Sequence, residues 1–385
     1  MRSLRATGAG ERGAALVMVV GLVVLMTALV VGVQYEIGRG IAWVRTVQDN
    51  GEARRMAEVG LNAAMMLLKY DYEEDTRNNR KVDYYFAVNV PDDPVAAMEM
   101  LANASEFWSL FVPGQGASQM LASLGIGGNL IPIADVGAFE ISIEDESAKY
   151  NVHRLFKPAG TKIDDVEARA AIGGISYLLG DDHLARRIVA ALIDWMDRDD
   201  QLVDPTGAES FQYQSLDAPY MTRNGPIQSI EELRAIAGVD EDVYQSLVSG
   251  VTVWPNDLRV FSQYKINVNT ASEDGLAFLH RDIDTPTIDA ILSGRDPDPY
   301  ERMSDFTEIL KQEGMIELYD DRDPKTSEEI AARQIVGFRS RAFKIRSTGY
   351  TDAGQATLEA VVDRNPDTGK MRVLYRRWLT LVEPS

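Results

Sequence analysis

The chain has 385 residues, 45% of them apolar and 25% charged, which is long enough for two or more domains and ordinary for folded protein. Its 59 acidic against 39 basic residues give a formal charge of -20, a balance that repels phosphate backbones and disfavours a nucleic-acid partner. With no cysteine, disulfides, thiolate metal sites, iron–sulfur clusters and cysteine nucleophiles are excluded.

Residues 1–13 carry Arg2, Arg5 and Arg12 against Glu11, so the chain beyond residue 13 is the more acidic part. From Ala14 to Val33 the one clearly polar side chain is Thr27. Such a run suits a helix crossing a bilayer core about 30 Å thick and exceeds the roughly 7–15-residue core of a cleaved signal. No A-x-A-like site comes after it, since the next residues are Gln34, Tyr35 and Glu36, so the segment reads as an anchor that is kept. Basic residues stand on both sides, with Arg39 and Arg45 beyond it, and lean only slightly towards a cytoplasmic N-terminus. Ile37, Ile41 and Val44, then Met56, Val59, Ala63 and Met66, keep helical spacing among charged residues. One helix is predicted from Ala14 to about Leu68, roughly 80 Å long. Gly51 and Gly60 are its weak points, costing about 1 kcal/mol each relative to alanine unless packing compensates.

Phe139, Ile141 and Ile143 alternate with Glu140, Ser142 and Glu144, the pattern of a half-buried strand. Comparable strands come only at the far end: Phe343 and Ile345 in RAFKIRSTGYT, then TLEAVV and RVLYRRWLTLV around the turn Asn365–Gly369. A strand whose partners lie that far downstream predicts a helical insertion into an antiparallel sheet. Within it, Ser229 with Glu232, Thr270 with Glu273 and Thr326 with Glu329 fit capping boxes, and Thr285 before Pro286 fits a cap with proline in first position. Gly238, Gly250, Gly294 and Gly337 fall where such helices should stop. Residues 229–250 and 269–294 look related, each a helix, a turn and a second helix ending in Ser-Gly. Hairpins of this kind bind DNA or dock protein. Asp240 and Glu241 in the first turn, and Asp282 and Asp284 in the second, argue against phosphate contact.

The densest carboxylate cluster is LIDWMDRDDQLVDPTGAES, holding Asp194, Asp197, Asp199, Asp200, Asp204 and Glu209. Hard oxygen ligands on a loop with proline and glycine suit calcium, which takes six to eight oxygens. An EF-hand is excluded, because counting from Asp197 its glycine position holds Leu202 and its twelfth position Ala208. The functional reading gives calcium to Asp197, Asp199, Asp200 and Glu209; a solvated acidic loop closing a helix is the structural one. Imidazole chemistry is poorly served, since His153, His183 and His280 lie in neither a G-x-S-x-G nor an H-E-x-x-H pattern.

The basic leader, Gly13, the apolar helix and RRMAEVGLNAAMMLLK (54–69) resemble a type IV prepilin N-terminus. IEDESAKYNVHRL, ALIDWMDRDDQ, GPIQSIEELRAIAGV and INVNTASEDGLAFL, in that order, resemble general secretion pathway protein K, the large minor pseudopilin family of type II secretion. The resemblance implies cleavage by prepilin peptidase after Gly13 and a mature, methylated N-terminus at Ala14. It also draws attention to Met18, the fifth mature residue, where most of the class carries a glutamate that pairs with a neighbouring subunit's terminal amine. A subunit without that carboxylate is suited to begin a filament rather than to join beneath one. His153 departs from the family, which often has asparagine there, and Ser210 and Phe211 stand where further acids often follow the calcium-loop glutamate.

The implied fold class is α+β: a pilin-like long N-terminal helix on an antiparallel sheet, with a large all-helical insertion of SAM-like or helix-hairpin-helix-like character. The expected segments are a leader (1–13), a transmembrane and stem helix (14–70), the first part of the head (71–155), the insertion (156–338, in two units of about 156–262 and 263–338) and the C-terminal strands (339–385). The implied role caps or initiates the pseudopilus tip with minor pseudopilins I and J, near pseudopilin H and the major pseudopilin G. The head would lie in the periplasm, within reach of secretin and secreted substrate, on a single-pass inner-membrane anchor. Two rivals come from other classes: an anchored periplasmic hydrolase using the carboxylate cluster, and a helix-hairpin-helix DNA-binding protein.

Overall fold

The computed structural model describes residues 51–73, 75–77, 82–83, 130–133, 136–157, 162–256, 264–296, 298–313, 335–352 and 354–379. Gly13, Ala14, Met18 and the apolar segment Ala14–Val33 lie outside them. Among the described residues, no helix is long and apolar enough to cross a membrane.

Residues 51–73 form helix α1. Ala53, Met56, Ala57, Leu61, Ala64 and Leu68 recur on one face at three- and four-residue spacing, and all are buried. That face lies on a five-stranded sheet made of β1 (Leu130–Ile133), β2 (Gly137–Asp145), β7 (Ala342–Thr351), β8 (Gly354–Arg364) and β9 (Met371–Leu379), in that spatial order. Phe139, Ile141, Ile143, Phe343, Ile345, Leu358, Ala360 and Val362 meet the helix. The backbones approach closely at Gly349, where an added Cβ would run into the Ala53 carbonyl and the Ala57 amide. Gly60 sits against Phe139, Ile141 and Ser347, so the packing that offsets its low helix propensity is present.

Strand β2 pairs on one side with the adjacent β1, a short neighbour that the alternation pattern did not reveal, and on the other with β7 some two hundred residues downstream, as predicted. It runs antiparallel to β7 with Ile143 opposite Ile345 and Asp145 opposite Phe343. The described elements between the two strands are helices and short two-residue strands. The helices are α2 (Asp165–Leu179), α3 (Asp182–Met196), α4 (Ser210–Gln214), α5 (Glu241–Gly250), α6 (Glu273–Leu276), α7 (Thr285–Gly294) and α8 (Met303–Gln312). Strand β8 is buried along almost its whole length because both its faces are covered: Leu358, Ala360 and Val362 meet α1, while Val361 joins the core of the helices. Trp254 against Tyr375, at 5.4 Å between ring centroids, and Arg377 to Glu231, at 2.5 Å, tie the helical layer to β9.

The asparagine-bearing motifs are clamps. In YNVHRL, Asn151 Oδ1 accepts from the His153 amide at 3.0 Å and its Nδ2 donates to the Pro255 carbonyl at 3.0 Å. In INVNT, Asn269 bonds both the amide and the carbonyl of Tyr300 at 2.9 Å, and Asn267 Nδ2 donates to the Asp83 carbonyl at 2.9 Å and to Ser340 Oγ at 2.7 Å. Each motif also opens a short parallel pair, β3 (Tyr150–Asn151) with β4 (Val251–Thr252), and β5 (Ile266–Asn267) with β6 (Val336–Gly337).

Helix ends differ from expectation by one or two residues. Asp284, not Thr285, caps α7, because its carboxylate stands one position earlier and accepts from the Thr287 amide at 3.0 Å. Ser272 caps α6, while Thr270 instead donates to Asp145 at 2.6 Å. Ser229 caps a 3-10 turn (Ile230–Ala235) rather than an α-helix. Gly250 and Gly294 close α5 and α7 as expected, Gly238 follows the 3-10 turn with φ 89°, and Gly337 belongs to β6 instead of stopping a helix. Thr326 and Glu329 lie outside the described residues.

His153 is fully buried with Nδ1 3.1 Å from Asn151 Oδ1, and burial holds its pKa down to about 4. The unfolded chain therefore takes up a proton there first as pH falls, so this group costs the fold stability between about pH 6.5 and 4. His153→Asn should remove that part of the slope: relative to the parent, the variant should gain about 2–3 kcal/mol between pH 7 and pH 4.5 in urea unfolding. Parallel pH profiles for the two proteins would contradict this.

Candidate metal centre

Two groups of three carboxylates bring ligand oxygens within 4.8 Å of one another: Asp71, Asp75 and Asp83, and Asp194, Asp197 and Glu209. The first already holds a cation of its own. Arg364, buried at the end of β8, donates to Asp71 Oδ2 at 2.7 Å and to the Leu68 carbonyl at 3.0 Å, and pairs with Asp83. Its guanidinium supplies what a metal would supply there.

The second group has no Lys, Arg or His ion pair among the described residues. It is assembled at the C-terminal end of α3, whose start is fixed by Asp181 accepting from the amides of His183 and Leu184 at 2.9 and 3.0 Å. Asp194 lies in the last turn, fully buried because α3 turns that side inward with Ile193 and Trp195 also in the core. Its Oδ1 accepts from the Val203 amide at 2.9 Å, which folds the following loop back over the helix end. Asp197 closes the helix, its amide donating to the Ile193 carbonyl at 2.9 Å. Glu209 precedes α4, its amide donating to Gln212 Oε1 at 3.0 Å, and the residue is only 3% exposed. Gly207 lets the loop pass: a Cβ there would run into Asp194 Oδ2.

Four oxygens of this group are buried without a hydrogen-bond partner: Asp194 Oδ2, Asp197 Oδ1, and both carboxylate oxygens of Glu209. Burial, and after it the neighbouring carboxylates, push Asp197 and Glu209 up to about 7 and raise Asp194 as well. Three acids converging at a helix C-terminus are unfavourable on dipole grounds too, unless a cation or protons neutralise them. The donor set is all oxygen and partly dehydrated, which fits a hard divalent cation.

The sequence-derived ligand set is redistributed. Asp197 and Glu209 come together; Asp199 and Asp200 are exposed outside the three-carboxylate group, with Asp199 Oδ1 accepting from the Gln201 amide at 2.9 Å. Asp204 is exposed and turns the loop, accepting from the Thr206 amide at 2.9 Å and hydroxyl at 2.7 Å. Asp194 is the member of the group left out of the sequence-derived ligand set, because it falls inside an apolar helix; its signal was the three-residue spacing to Asp197, which puts both on one helix face. In the two hairpin turns, Asp240 and Asp284 cap α5 and α7.

Comparison with known proteins bears on this region directly. The family described as type II secretion system protein K matches residues 148–256, a stretch that contains the whole carboxylate group. The type II secretion system protein K of Aeromonas hydrophila is 31% identical over 157 residues, covering 39% of this chain and 46% of the relative. That of Pseudomonas aeruginosa is 29% identical over 243 residues, covering 63% of this chain and 65% of the relative. The matched parts thus span about half to two thirds of these relatives. A chain from the crystal structure of the GspK–GspI–GspJ complex of the enterotoxigenic Escherichia coli type 2 secretion system superposes with a TM-score of 0.52 at 22% identity, covering 68% of this chain and 86% of that one, and shares the fold of sheet and helices. Residues 148–256 thus match the type II secretion system protein K family, and the relatives similar to the chain over longer stretches carry that same name.

Proposed function

We propose that this chain is a minor pseudopilin that caps or initiates the type II secretion pseudopilus, acting as a structural subunit rather than an enzyme. The observation that carries the reading is the three-layer head. A stem helix is packed on one face of an antiparallel sheet, and a helical body covers part of the other face. A head so broad would clash with copies of itself along a tightly wound shaft, whereas at an end it has no copy to meet. Minor pseudopilins I and J are the partners in this reading, supported by the related complex, in which GspK is joined to GspI and GspJ; pseudopilin H, the major pseudopilin G, secretin and secreted substrate follow from the family role.

In the same reading residues 1–13 are a leader removed by prepilin peptidase, Ala14 is the methylated mature terminus, and residues 14–70 are an inner-membrane anchor and stem. The head is divided as 71–155 and 339–385, with 156–338 inserted and the head facing the periplasm. Two related units, about 156–262 and 263–338, are supported by the repeated plan of an asparagine motif, a helical hairpin and a parallel two-residue strand pair. The SAM-like or helix-hairpin-helix-like description rests on those hairpins.

Calcium is the proposed occupant of the carboxylate group, held by Asp194, Asp197 and Glu209, with Asp199 and Asp200 beside them. Addition of calcium to chelator-treated protein should raise the melting temperature by about 5 °C or more near saturation and slow proteolysis at residues 197–209. Asp194→Asn should abolish both effects. A melting curve and cleavage pattern indifferent to chelation would remove calcium from the account.

The tip role is tested through the N-terminus. Intact-mass analysis of membrane-extracted protein should give a methylated chain beginning at Ala14, and Met18→Glu should lower pseudopilus initiation while leaving the head's melting temperature unchanged. An unprocessed Met1 terminus, or undiminished assembly by the variant, would contradict the proposal.

A further inference from the structure

Eleven large apolar side chains are left exposed among the described residues, and six of them fall within one short stretch: Leu202, Val203, Phe211, Leu216, Tyr220 and Met221. Isolated exposed apolar residues are ordinary, but a concentration of them is not. Phe211 is 81% exposed and Met221 65%, so neither is needed by the core beneath. The same loops do have an inside, occupied by Ala208, Tyr213 and Ile227.

Local structure gathers the outward residues. Ser210 Oγ lies 2.6 Å from Thr222 Oγ1 and accepts from the Thr222 amide at 3.2 Å, so Phe211 and Met221 each adjoin the same hydrogen-bonded pair. Tyr220 packs on Tyr213 with ring centroids 5.1 Å apart, and the Leu216 amide donates to the Tyr213 carbonyl. The loop carrying Leu202 and Val203 is held to the same helix end through Asp194.

Charge says what could cover this face. Between residues 197 and 221 there are six carboxylates and one basic residue, Arg198. Asp199, Asp200, Asp204 and Asp217 are exposed around the apolar residues. Of the arginines beside this stretch, Arg223 is engaged with Glu232 at 3.1 Å and Arg186 with Asp182 at 2.8 Å. A second copy would bring the same acidic rim, and a neutral or anionic lipid surface offers that rim no counter-charge. A complementary surface is apolar at its centre and cationic around it.

We propose that the 202–221 face is a docking surface for another protein that presents apolar side chains ringed by lysine or arginine. The proposal goes beyond the capping role, and a cation held by the buried Asp194, Asp197 and Glu209 would still leave the exposed Asp204 and Asp217 in the rim. Apolar contact with Phe211 and Met221 supplies affinity, and the carboxylate rim supplies orientation and encounter rate.

The test uses the full chain in phosphatidylcholine nanodiscs and two fluorescent amphipathic helical peptides, one with a leucine face and lysines elsewhere, the other with glutamates replacing the lysines. The leucine–lysine peptide should bind, the leucine–glutamate peptide at least about tenfold more weakly. Phe211→Ser combined with Met221→Ser should cost about tenfold or more with the melting temperature unchanged, and Asp217→Lys should weaken binding about threefold. Equal binding to parent and double variant would mean attraction by overall charge and overturn the proposal. Tight binding of the glutamate peptide would do the same, as would sedimentation showing dimers of the chain that Phe211→Ser dissolves.

Discussion

A guanidinium shut away from water holds this molecule together. Arg364 is 2% exposed at the end of β8, and it joins the last turns of α1, through Asp71 and the Leu68 carbonyl, to the segment containing Asp83. A buried charge is costly to desolvate, and removing one partner strands the others at a cost of about 3–5 kcal/mol. The chain therefore has little freedom to let α1 lift from the sheet without exposing or unpairing these groups. From Asp83 the polar path continues: its carboxylate accepts from the Ser340 amide at 2.8 Å, Ser340 bonds Asp145, and Asp145 accepts from Thr270 at 2.6 Å. Stem, sheet and helical layer are linked by one buried run of hydrogen bonds.

In the role proposed above, at the end of a filament, that continuity has a use. Force and position entering through the stem reach the outer helical surface only if no joint between them is soft. Apolar packing supplies most of the attraction, but it is non-directional; the arginine and its carboxylates fix one register of helix on sheet. At the C-terminal end of α3 the opposite arrangement holds. The carboxylates at the end of α3 converge without an arginine, leaving oxygens that protein groups do not satisfy, and the loops above them turn apolar side chains outward. One charge cluster is closed and structural; the other is open in composition and stands where an ion or partner can complete it.

Much of the layout was legible in the chain. Alternation in residues 139–143 and its repetition after 343 was enough to predict a sheet interrupted by helices, because a strand face needs cross-strand neighbours wherever they lie; the four-residue β1 beside it was too short to show an alternation of its own. Helical spacing in α1 was legible but its phase was not: of Met56, Val59, Ala63 and Met66 only Met56 is buried, while Val59 and Met66 are exposed, because the sheet is met by the smaller Ala53, Ala57 and Ala64 with Leu61 and Leu68. Caps were displaced where two candidate side chains stood close together, as with Asp284 and Thr285, since only geometry decides which oxygen reaches the free amides. Asp194 was obscured by its apolar surroundings, and Asp199 and Asp200 drew attention through density alone. The Arg364 network left no local trace: Asp71, Asp83 and Arg364 are separated by up to 293 residues, and nothing in the spacing of an isolated arginine announces its partners.

Amide hydrogen exchange on the full chain tests the central claim that stem and head form one cooperative body. With Arg364 in place, amides of residues 61–71 should open with the same free energy as those of β7 and β8. In Arg364→Met the helix amides should lose at least about tenfold in protection while the sheet core keeps more of its own. Equal protection of residues 61–71 in both proteins would show that the buried arginine does not hold the stem, and the account would fail.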